Sequence, residues 1–124
     1  MRFQMQIGAV AVAVLMGASP ALAHHSFAMF DHDKEVPLKG VVKEFQWTNP
    51  HSWIQLVVTE KGKAVDYSIE GASPNSLARK GWTRTAFKPG DKVTIFVNPL
   101  KSGEAGGSFV RAILPDGSTF PKEP

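Results

Sequence analysis

Four histidines stand early in this chain, at His24, His25, His32 and His51, and they are the side chains best suited to bind something by chemistry. Imidazole nitrogen is a ligand for copper, zinc and nickel. What makes the set specific is the segment before it. Met1 to Gln6 carries a single charge, Arg2, and Ile7 to Ala18 is apolar or small. Ser19-Pro20 then breaks the run, and Ala21-Leu22-Ala23 places small residues before His24. This is the layout of a cleavable export signal, and the apolar run is shorter than the ~20 residues of a membrane span. Residues 1–23 are expected to be a signal peptide, and cleavage after Ala23 would make His24 the first residue of an exported chain. A terminal histidine offers one metal ion both its α-amine and its ring nitrogen. A second histidine would complete a nitrogen-rich site of the kind copper(II) favours. His51, His25 and His32 are the candidates for that second donor. The competing reading is a solvated chain end, with His51 bonded within its own turn.

Composition narrows the alternatives. The mature chain, 24–124, has 101 residues, the length of one domain with a modest core. Thirteen basic against eleven acidic residues leave it at +2, too even and too scattered for a nucleic-acid footprint. There is no cysteine, so neither a disulfide nor a thiolate site is open to it. No nucleophile elbow, phosphate loop or His-Glu-x-x-His helix is present, and no catalytic residue is assigned.

These histidines must be positioned by a mostly β chain. After an irregular arm over 24–37, Leu38 to Trp47 alternates as a first strand. On it Val41, Lys43, Phe45 and Trp47 share one face, and Val42, Glu44 and Gln46 the other. Gly40 within it predicts a bend or a close backbone approach. Thr48-Asn49-Pro50-His51 reads as a turn. Further strands are expected at Trp53–Thr59, Ala64–Glu70, Lys92–Val97 and Ser108–Leu114, with a long glycine-rich loop over Asn98–Gly107 and a short tail flanked by prolines. Ser73 is placed as N-cap, Pro74 as first helical residue and Gly81 as the residue past a short helix. The order β-β-β-α-β-β is that of an OB-fold, an all-β five-stranded Greek-key barrel, here expected over 38–124.

Two further constellations stand out. Trp47, Trp53 and Trp82 fall near turns or strand ends, where they would either stack against a flat ligand or close a small core that has no disulfide. Glu70 to Asn75 leads into the helix, and its amides would either cradle an anion or simply cap.

The segments HHSFAMFD, VVKEFQWTNPHSWIQL, EGASPNSLARKGWTR and KPGDKVTIFVNPLKSG together resemble a family of small exported bacterial proteins known only as a domain of unknown function. The resemblance spans the mature chain and implies an exported small β-barrel. It implies no activity. The terminal histidine also resembles, locally, the histidine brace of certain exported copper proteins. The sequence therefore leads to a periplasmic or secreted binding module for a small ligand or a metal ion, with copper as the specific candidate and no membrane span after cleavage. The alternative is a structural or protein-interaction module of the cell envelope, without metal.

Overall fold

A computed structural model of the protein describes residues 27–122. The strands are β1 (Val36–Gln46), β2 (Trp53–Glu60), β3 (Lys63–Glu70), β4 (Lys92–Pro99), β5 (Gly106–Ile113) and β6 (Thr119–Phe120). One short helix, α1 (Pro74–Arg79), lies between β3 and β4. Neighbours run β3-β2-β1-β4-β5, all antiparallel, and β5 returns to β3 by a parallel pairing of Gly106–Ser108 with Ser68–Glu70. That pairing closes a five-stranded barrel with the connectivity of an OB-fold. β6 is an extra strand on the outside of β5.

β1 makes closure possible by serving two neighbours. Val36–Val41 pairs with β4, and Gly40–Gln46 pairs with β2. At the overlap a Cβ on Gly40 would meet the Val57 carbonyl oxygen at 2.3 Å, which is the close approach expected there. The expected faces of β1 hold only up to Val42. Lys43 is an extra residue, a β-bulge between the pairs Val42–Leu56 and Glu44–Gln55, so the parity inverts beyond it. Val42 and, three residues on, Phe45 therefore both reach the core, whereas Val41 is exposed.

Other boundaries move for identifiable reasons. The arm ends at Glu35 rather than residue 37, because Val36 and Pro37 already pair with Val97 and Phe96. Pro37 is tolerated there, since the β2 pairing starts only at Gly40. β4 runs on to Pro99 and β5 begins at Gly106, which shortens the glycine-rich loop to residues 100–105. The tail forms β6 and returns Phe120 to the core, its ring 4.5 Å from that of Trp82.

Local chemistry sets α1. Ser73 Oγ accepts the Ser76 amide at 3.3 Å and Pro74 opens the helix. Past its end, Gly81 adopts φ +88°, and the amides of Gly81 and Trp82 bond to the carbonyls of Ala78 and Leu77. This is a Schellman ending, and it turns Trp82 inward. Trp82 and Phe87 join Phe45, Phe109 and Phe120 in a cluster of edge-to-face rings that adjoins the aliphatic core of Leu38, Val42, Leu56, Ile69, Ile95 and Val97.

Candidate functional site

The site begins with two loops laced together. Ser52, 2% exposed, gives its amide to Ala72 O at 3.1 Å and its hydroxyl to the same oxygen at 2.8 Å. In return the Gly71 amide donates to Ser52 O at 2.8 Å. Gly71 is small because there is no room for more: a Cβ on it would lie 2.4 Å from Ser52 Oγ. The lacing joins the β1–β2 loop to the β3–α1 loop and brings His51 beside Glu70, 19 positions apart in sequence and neither of them fully open to solvent.

His51 Nδ1 lies 3.2 Å from Glu70 Oε1 and 3.3 Å from Gly71 O. Both neighbours are acceptors, so the hydrogen-bond pattern assigns the proton to Nδ1 and leaves the lone pair on Nε2. A carboxylate or carbonyl behind Nδ1 is the arrangement that orients metal-binding histidines. The Glu70 side chain is 10% exposed and that of His51 37%.

These two residues line a cavity of about 450 Å³, together with Phe27 and Phe30 from the arm, Lys80 after α1 and Phe109 of β5. The arm is fastened over this end of the barrel. Asp31 donates its amide to Pro99 O at 2.8 Å, Lys101 donates to Met29 O at 2.9 Å, and Phe30 forms a bridge to Leu100 and is buried. Aromatic walls with a few convergent polar groups are the usual make-up of a small-ligand site.

The candidate residues are distributed as follows. His24 and His25 lie outside the described residues. His32 stacks on Phe27 at 3.9 Å, with Nε2 2.9 Å from Phe27 O and Nδ1 3.3 Å from Asn98 Oδ1. Both its nitrogens thus face oxygens, and in this geometry it serves as a clasp for the arm. Among the described residues no three His, Cys, Asp or Glu side chains converge as a metal site. Trp82 lines the cavity but is only 7% exposed and packs on phenylalanines. Trp47, half-buried, meets Phe45 edge-on at 5.8 Å, and Trp53 opens β2 between Gln46 and Glu70. Neither belongs to the cavity wall. In the loop into α1 the Gly71 amide goes to Ser52 O, and Ser73 Oγ caps the Ser76 amide.

Glu70 as a partner of His51, and Phe27 and Phe30 as walls, were not read from sequence. Glu70 depends on β3 register, and Phe27 and Phe30 on how the arm docks. The one available signal was a carboxylate ending a strand beside a glycine. Among the described residues no helix is long and apolar enough to cross a membrane. No curated protein and no solved structure matches the chain. The sequence profile of the family of unknown function DUF6152 matches residues 11–109, and the chain belongs to that family.

Proposed function

We propose that this protein is an exported binding module that holds copper(II) with the terminal His24 and the ring of His51. The observation that carries the reading is that Phe27 and His51 line the same cavity. His24 stands three residues before Phe27, a span of at most about 10 Å of extended chain. A mature terminus at His24 would be tethered by that span to a residue of the same cavity wall as His51, whose Nδ1 already faces two acceptors. Amine and imidazole donors favour copper over the other divalent first-row metals. The aromatic walls would limit access of water, and the Glu70 carboxylate behind His51 would hold the orientation of the ring.

The test is a copper(II) titration followed by EPR, on protein with an authentic His24 terminus, on the same protein with one residue added before His24, and on His51→Ala. Tight one-to-one binding with a nitrogen-rich spectrum, lost in the extended protein and weakened in His51→Ala, is the expected result. Binding indifferent to the added residue overturns the terminal chelate. Binding indifferent to His51→Ala overturns the pairing.

A further inference from the structure

A second concavity shares no lining residue with the first. It lies on the outer surface of β1, β4 and β5 and measures about 350 Å³. Strand parity builds it. Leu38 and Val42 of β1 point inward, as do Val93 and Ile95 of β4 and Ala112 of β5. Their neighbours Lys39, Val41, Lys92, Thr94 and Ile113 therefore face outward. Register aligns Lys39 with Thr94 and Thr94 with Ile113, and sets Val41 opposite Lys92. The β5–β6 turn closes one side, held by Leu114 N to Ser118 O and Gly117 N to Leu114 O, both 2.9 Å.

The wall has an unusual electrical make-up. Its side chains bring two ammonium groups and no carboxylate. The nearest acids by sequence are occupied in their own turns. Asp116 Oδ1 takes the Ser118 amide at 2.9 Å and hydroxyl at 2.6 Å, and Asp91 Oδ2 takes the Lys88 amide at 3.0 Å. Lys43, by contrast, faces Asp66 at 3.6 Å. Neither Lys39 nor Lys92 has an ion pair among the described residues. Beside both, opposite Lys92 and two residues from Lys39, Val41 is 39% exposed, the one large apolar side chain of the strands left so open. Apolar surface beside two unpaired cations, in a concavity of ligand size, selects by charge and by shape together.

We propose that this groove is a binding site for a small amphiphilic anion, a carboxylate on a short alkyl body, with its head at Lys39 and Lys92 and its chain against the apolar part of the wall, to which Val41 and Ile113 contribute. The volume corresponds to about a dozen water-sized groups, which suits a chain of roughly eight carbons. The site stands apart from the copper reading, and its test needs no metal.

The experiment is an amide NMR titration of the mature chain with octanoate, with octylammonium and octanol as probes of equal length, and with vesicles of anionic phospholipid. Octanoate is expected to shift the amides of Gly40, Val41, Val93 and Leu114 in a saturable way, and octylammonium is not. Lys39→Gln with Lys92→Gln should weaken octanoate about tenfold, since each exposed ion pair contributes only modestly. Val41→Ser should weaken it several-fold. Equal binding of octylammonium or octanol, or an unchanged affinity in the lysine double variant, overturns the proposal. So does binding to vesicles without any octanoate response, or octanoate shifts confined to Gly71 and Phe109 at the other cavity.

Discussion

Gly71→Ala tests whether the two laced loops form one unit. The new Cβ would stand 2.4 Å from Ser52 Oγ, but 3.7 Å from Ser52 Cβ, so the hydroxyl alone is in the way. That hydroxyl is buried and donates to Ala72 O. It can swing aside only by giving up its hydrogen bond. Overpacking of this kind costs about 1–3 kcal/mol. The Gly71 backbone lies outside the left-handed region, so no conformational strain adds to the clash. Ser52→Ala alone should cost about 0.5–1.5 kcal/mol, because Ala72 O keeps the Ser52 amide as a donor and is not orphaned. In the double variant the clash is gone and the remaining contact is ordinary. It should cost no more than Ser52→Ala, less the roughly 0.4–1 kcal/mol that alanine gains over glycine by stiffening the unfolded chain. The two substitutions are thus non-additive by about 1–3 kcal/mol. Urea unfolding of the four proteins measures this directly. In a domain of this size each kcal/mol also moves Tm by about 4–8 °C. If the two effects simply add, Ser52 Oγ is not the obstacle and the account of the lacing is wrong.

Gly40→Ala should be worse than Gly71→Ala, at about 3 kcal/mol or more, because the obstacle is the Val57 backbone oxygen at 2.3 Å; trimming Leu56, 3.0 Å away, should not rescue it in the same unfolding assay. Tyr67, the single tyrosine, donates to Glu60, and this bond, with burial and the Glu60 charge, raises its pKa above the ordinary value. A raised pKa means stability that is present below about pH 10 and lost as pH climbs through the folded value. Tyrosinate absorbance should therefore titrate late, and Glu60→Gln should bring it earlier; an unmoved midpoint refutes the pair. If His51 holds copper as proposed, Glu70→Gln should weaken it about tenfold in the same titration, at the low end for an orienting partner, because Gly71 O still faces His51 Nδ1.

Much of the barrel could be read from the chain because its signals are local. Alternation located five strands, Ser73 and Gly81 bracketed the helix, and Gly40 marked the close approach. What escaped was non-local. The bulge at Lys43 leaves no mark in its own sequence, yet it exchanges the faces of everything after it on β1. A second bulge, at Val110 between the pairs Val97–Phe109 and Phe96–Arg111, does the same on β5. β6 is two residues long and exists because Phe120 has Trp82 and Phe87 to pack on. At the site, His51 stood out by type. Its partner depended on the pairing of Trp53 with Glu70, which sets the carboxylate beside the loop that precedes β2.

The location of the cavity follows from how the barrel closes. Four of its seams are antiparallel ladders of six to eight paired positions, while the β3–β5 seam has only three, ending at Glu70 and Ser108. Beyond that point the two strands part, and space opens that neither strand fills. Ser108, Phe109 and Val110 line it from one side, Glu70, Gly71 and Ala72 from the other, and the arm roofs it. Along β3 the His51–Glu70 pair is separated from Ile69, which points to the opposite face, while Leu77 and Trp82 of the core form part of the cavity wall. At Ile69 and His51, however, stability and binding are separable. Substitutions at Ile69 should change stability and leave ligand affinity in the folded fraction intact. His51→Ala should do the reverse, because it removes a half-exposed ring while the Ser52–Ala72 and Gly71–Ser52 bonds remain. If His51→Ala unfolds the domain, the ring is a structural strut, and the binding site must be sought elsewhere on the barrel.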